Sequence, residues 1–169
     1  MNDSMLKHIK FALYDMAFLD IKRATAGQSK MGAFILASCF IDYMAGFIAG
    51  RETKNEDYKK FVKDYLPNMY DSEKLYRDLR CKLVHNYSEG GSYIFAYANP
   101  TLHGQKDGTK IVINLENFID DLEAALRKML TDLDTDSGKQ QKAEDRYNKI
   151  GLLGIIQSNI APEGNKPAK

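Results

Sequence analysis

The segment Met31–Gly50, MGAFILASCFIDYMAGFIAG, constrains this chain most, because it runs for 20 residues with a single charge, Asp42. A stretch of that length and polarity either crosses a bilayer or forms the central helix of a soluble core. Its Gly46-x-x-x-Gly50 pair suits close helix packing in either setting. Asp42 decides between them: a carboxylate near the middle of a span costs about 2.5–3.5 kcal/mol on insertion scales. No second span and no basic flanking loop accompany it. The expectation is therefore a buried helix in a soluble cytoplasmic protein, with no membrane partner. A carboxylate in such a helix is rarely left unpaired, so Asp42 is expected to bond Arg80, His85 or a neighbouring hydroxyl.

At 169 residues the chain has the size of one domain. Lys and Arg number 24 against 23 Asp and Glu, a net charge of +1. No global field then steers it toward nucleic acid or an anionic membrane, and any polyanion site must be local. Cys39 and Cys81 lack Cys-x-x-Cys spacing, which argues against a disulfide scaffold or a zinc ribbon and fits a reducing cytosol. The first residues show no basic region followed by an apolar run, so no signal peptide is expected.

Helical periodicity recurs on both sides of the central segment. Leu6, Ile9, Leu13 and Met16 mark a first helix over 4–24. Thr53-x-x-Glu56 reads as a capping box for a short third helix that Leu66-Pro67 stops. Asp71 or Ser72 caps a fourth, with Leu75, Leu79 and Leu83 in register until Ser88-Glu89-Gly90-Gly91 breaks it. The runs Tyr93–Tyr97 and Lys110–Ile113 are β-branched and aromatic, and Asn99-Pro100 and Asp107-Gly108 between them signal turns; they predict a small β-hairpin with a long loop. Tyr93, Phe95 and Tyr97 alternate on one strand face, able to stack bases but expected to cover the helices. Asn114 caps a fifth helix striped by Phe118, Leu122, Ala125, Met129 and Leu133. The fold expected is all-α, an antiparallel bundle of four to five helices over 1–134, with the hairpin (about 92–113) inserted before the last main helix. Residues 135–169 are expected to add a polar helical extension, an apolar run from Ile150 to Ile156 that docks, and a frayed tail from Pro162.

Catalytic signatures are sparse: there is no P-loop, G-x-G-x-x-G, G-x-S-x-G or H-E-x-x-H. The three histidines, His8, His85 and His103, are too scattered to suggest a metal site, and no metal or cofactor is expected; His103 is expected to do nothing chemical. The end of the fourth helix, Arg80-Cys81-Lys82-Leu83-Val84-His85-Asn86-Tyr87, is different. An imidazole that takes a proton near neutral pH and a guanidinium that forks onto phosphate oxygens suffice for metal-free phosphodiester chemistry. Lys74, Arg77 and Lys82 add a modest phosphate footprint, tempered by Glu73 and Asp78. Geometry resists the pairing, because residues five apart stand about 140° from each other on an ideal α-helix. Arg80 and His85 can converge through a frayed last turn or through a symmetric dimer.

Arg80-x-x-x-x-His85 at the end of a late helix resembles the HEPN domains, and Tyr87 extends it to the Arg-x-x-x-x-His-x-Tyr form of HEPN toxins paired with nucleotidyltransferase antitoxins. The resemblance covers about residues 1–134. It implies a homodimer whose two motifs share a cleft and cleave RNA without metal, with an antitoxin protein as a further partner. His85 would move the proton of the ribose 2′-hydroxyl or of the leaving oxygen, and Arg80 would hold the scissile phosphate. Tyr87 would contact phosphate or accept a nucleotidyl group. In active members the residue after the arginine is commonly Asn or another polar residue; here it is Cys81, whose thiol hydrogen-bonds weakly. The alternative is a non-catalytic module of the same kind that binds nucleotides or a partner protein.

Overall fold

A computed structural model describes residues 3–87 and 91–152 of the chain. They are mostly helical, with six helices and one small three-stranded sheet. Helix α1 passes through three registers without a break: Asp3–Phe11, a π-helical stretch Ala12–Phe18, and Leu19–Ala26. Helix α2 is Lys30–Ala49 and ends at Gly50, whose φ of +79° is the left-handed conformation a glycine takes without strain. Helix α3 is Asn55–Tyr65. Helix α4 again changes register, from Ser72–Lys74 through the π-helical Leu75–Leu83 to Val84–Asn86. After strands β1 (Tyr93–Ala96), β2 (Lys106–Asp107) and β3 (Lys110–Asn114) come α5 (Leu115–Thr135) and α6 (Ser137–Ile150).

Helix α2 is the one helix among the described residues long and apolar enough to cross a membrane. In this fold it is the centre of the core. Ala33, Phe34, Ala37, Ile41, Met44 and Phe47 are buried along it, and α1, α3, α4, α5 and α6 all pack against it. Phe34 joins helix to sheet, its ring centroid 4.7 Å from that of Phe95 in β1 and 6.2 Å from that of Phe118 in α5.

Two expectations change. The runs 93–97 and 110–113 do pair, but in parallel, with Tyr93 opposite Ile111 and Phe95 opposite Ile113. The hairpin belongs instead to β2 and β3, which pair antiparallel around Gly108, φ +59°, giving the strand order β1-β3-β2. Residues 97–109 carry the chain back to the starting end of β1, which a parallel pair requires. Buried Tyr93 and packed Phe95 cover the helices as expected, whereas Tyr97 is exposed under the Lys30 ammonium. Helix α3 is capped one residue later than Thr53: the Lys54 N–H donates to the Asp57 carboxylate at 3.0 Å. Thr53 turns inward, and its hydroxyl donates to the Asp42 carbonyl at 2.6 Å.

The polar extension is also more than an appendage. Helix α6 lies directly on α2 over the glycine pair: a Cβ at Gly46 would collide with Arg146 Nε and stand 2.9 Å from Thr53 Oγ1, and one at Gly50 would meet Lys142 at 3.0 Å. The Gly-x-x-x-Gly spacing thus makes a groove for α6, which buries Ala143 and Arg146. The break expected at Ser88–Gly90, most of the apolar run ending at Ile156 and the frayed tail fall outside the described residues.

Asp78 fixes the sheet to α4. Fully buried, it accepts from Arg77 Nε and Nη2 at 2.8 and 2.7 Å and from the Ser92 N–H at 3.1 Å, with Lys82 Nζ 3.2 Å away. These donors, Arg77 first, hold its carboxyl well below the usual carboxylate range. A carboxylate with a depressed folded pKa contributes stability above its unfolded value, about 3.9, and loses that contribution as pH falls toward the folded value. Asp78→Asn should therefore melt lower at pH 7, by about 1.5–3 kcal/mol for hydrogen bonds to a charged acceptor. Below about pH 4 the two proteins should converge. Thermal melts from pH 7 to 3 check this, and a gap independent of pH would contradict it.

Candidate functional site

The site is built where the π-helical part of α4 crosses the middle of α2. A π turn closes between residues five apart, one more than an α turn. Arg80 lies in that underwound stretch and His85 two residues beyond its end at Leu83; their side chains, about 140° apart on an ideal α-helix, converge here, with Arg80 Nη1 3.3 Å from His85 Nε2. Convergence is thus achieved within one chain, by neither the frayed turn nor the dimer that the spacing suggested. A guanidinium only donates, so the His85 nitrogen facing it is the acceptor, and the neutral ring carries its proton on Nδ1.

Asp42 takes the partner expected of it. Arg80 Nε donates to Asp42 Oδ2, and both side chains are half-buried. Burial raises the Asp42 carboxyl above its ordinary value, and the Arg80 guanidinium opposes that rise by charge and hydrogen bond. Arg80 is raised in its turn: burial works against its charge, and Asp42 more than offsets the cost. One edge of the guanidinium is thereby fixed on α2 and another on His85. Its Nη2 makes no hydrogen bond among the described residues.

Other sequence-level candidates divide. Cys81 is half-buried beside Tyr76, again five residues away, and burial followed by the thiol raises that phenol. Tyr87 is exposed, in the left-handed conformation at φ +50°; its N–H donates to the Leu83 carbonyl at 3.0 Å, and its hydroxyl makes no hydrogen bond among the described residues. Arg77 and Lys82 are both engaged by Asp78, so the phosphate footprint loses two of its three cations to the sheet anchor. Lys74 stays half-buried on α4, its N–H accepted by the Asp71 cap at 3.0 Å. Cys39 lies three residues before Asp42; burial pushes its thiol up, partly countered by Arg80. Among the described residues no cluster of His, Cys, Asp and Glu is arranged to hold a metal.

Two groups were invisible in the sequence. His103 accepts the Asn114 N–H on Nδ1 at 3.2 Å, and its Nε2 lies 3.1 Å from the Tyr70 hydroxyl, which donates to Asp121 at 2.7 Å. These bonds are structural: they pin the 97–105 loop to the start of α5. Arg146 is the other. It is 8% exposed, and its guanidinium lies over the rings of Phe47 and Tyr43 at 4.5 and 5.0 Å. Its Nε and Nη1 are buried without a hydrogen-bond partner, and burial lowers its pKa. Arg146, Arg80, Asp42, Tyr43, Thr53 and Glu52 border a cavity of about 290 Å³.

Set against known proteins, the chain matches no family model, no curated protein and no solved structure.

Proposed function

We propose that the chain is a HEPN-like metal-independent endoribonuclease that acts as a cytoplasmic homodimer and leaves 2′,3′-cyclic phosphate ends on RNA, in a toxin–antitoxin or defence setting. The 3.3 Å approach of Arg80 to His85 carries this reading, with Asp42 orienting the guanidinium from behind. A phosphate oxygen that accepts the Arg80 Nη1 hydrogen bond in place of His85 frees the His85 Nε2 lone pair. That nitrogen then accepts the proton of the 2′-hydroxyl as the 2′-oxygen bonds to phosphorus, the P–O5′ bond breaks, and a proton passes to the 5′-oxygen. Arg80 stabilises the charge that builds on the phosphoryl oxygens. In the homodimer the second His85 supplies the leaving-group proton.

A second reading, a nucleotide-binding or protein-interaction module without turnover, draws on Cys81 after the arginine and on the ion pair that engages Arg80 before any ligand arrives. Incubation of total and transfer RNA with the purified protein in EDTA separates the two. Cleavage into discrete fragments is the expected result. Thermal stabilisation by nucleotides with intact RNA would replace the ribonuclease with the binding module. Light scattering on the same sample should return twice the chain mass, and a monomer that cleaves at full rate would remove the dimer from the proposal.

A further inference from the structure

Arg146 is the least explained charge among the described residues. A buried guanidinium normally has a carboxylate or a set of carbonyls around it, because desolvating a cation without a partner costs several kcal/mol. Here two of its nitrogens are orphaned, and the surfaces against them are aromatic rings and the bare Gly46 backbone. Nη2 is the remaining edge, and the cavity shared with Arg80 is what Arg146 borders. Across that cavity Arg80 also has Nη2 unused among the described residues. Glu52 lines the same cavity and makes no ion pair among the described residues; Asp42 is taken by Arg80. Two guanidinium groups therefore border one hollow together with two carboxylates: Asp42, engaged by Arg80, and Glu52, whose charge favours the Arg146 cation without an ion pair to it.

We infer that the cavity between Arg146 and Arg80 is a phosphate subsite that takes one phosphate group of a nucleotide. Two guanidinium groups on one cavity can offer a phosphate more donors than any single cation does. At about 290 Å³ the cavity lies at the lower end of ligand pockets, enough for one phosphate with its sugar. Binding itself stands on Arg146 and the cavity; identifying the ligand as the RNA phosphate neighbouring the scissile one rests on the ribonuclease reading. The Gly46 gap has its use in this account, since any side chain there would push Arg146 out of the hollow.

Thermal melts and calorimetric titration of the full chain with inorganic phosphate, adenosine 5′-monophosphate and adenosine test the subsite, in wild type and in His85→Ala. Phosphate and the monophosphate should raise the melting temperature in both proteins, by about 5–10 °C at a concentration about 100 times Kd; adenosine should not. Arg146→Met keeps the aliphatic packing and removes the orphaned charge. Its ligand-free protein should melt at or above wild type, with the phosphate shift lost, and Glu52→Gln should tighten phosphate binding. The inference is overturned if wild type shows no phosphate shift, if Arg146→Met keeps the shift, or if that variant melts lower without ligand. Phosphate binding that depends on Arg146 in a protein that never cleaves RNA would leave the subsite standing and end the ribonuclease reading. RNA cleavage without such binding would do the reverse.

Discussion

Replacing His85 with alanine lowers RNA cleavage by about 10²–10⁴-fold, the usual contribution of a general base, and leaves the melting temperature within about 2 °C of wild type. Both halves of that expectation come from the same geometry. The His85 side chain is exposed at the end of α4, and its one hydrogen bond among the described residues runs to Arg80. Removing it therefore takes away a proton acceptor and almost no packing. Arg80→Lys gives a different signature. It keeps the charge beside Asp42 but loses the fork that serves Asp42 and His85 at once, so the rate falls while the fold persists. Single-turnover cleavage rates and melting curves on the same preparations check both. A His85→Ala protein that cleaves at the wild-type rate would exclude the imidazole from the chemistry.

Phe34→Ala carries the largest expected loss of stability, about 3–5 kcal/mol, or about 6–20 °C in melting temperature. The ring is 2% exposed and holds α2, β1 and α5 together through Phe95 and Phe118. The cavity it would leave is bordered by three elements that cannot collapse together without moving the sheet. The same variant tests the role of α2, because a ring facing lipid would contribute little to a cooperative melt in aqueous buffer. A variant that melts with wild type, from a protein that stays with membranes after a high-salt wash, would contradict the core placement.

What the sequence disclosed was what periodicity and pairing rules reach. Helix α5 is visible because its apolar residues follow the helical spacing over about five turns, and α2 because the 20 residues Met31–Gly50 carry a single charge. The Asp42–Arg80 pair was within reach because a carboxylate in an apolar helix needs a donor, and Arg80 stood among the partners expected of it with His85 and a hydroxyl. The π register of α4 was not legible: Leu75, Leu79 and Leu83, four residues apart, suit an α-helix as well, and no residue type marks the underwinding. Parallel pairing of β1 with β3 depends on the path of residues 97–109, which no turn signal specifies. Arg146 carries no signal in the sequence, because the space it occupies is opened by the missing side chain of Gly46, distant along the chain. His103, Tyr70 and Asp121 are likewise joined only by the fold.

The central claim is that Arg80 and His85 activate a ribose 2′-hydroxyl. Its most direct test uses a single-stranded RNA carrying the mapped cleavage position, beside the same oligonucleotide with one 2′-deoxy sugar at that position, in EDTA, with the 3′ ends analysed. The account predicts cleavage of the all-ribose strand to a 2′,3′-cyclic phosphate and none at the deoxy position. Cleavage at the deoxy position, or a 3′-hydroxyl end on the all-ribose product, would contradict it.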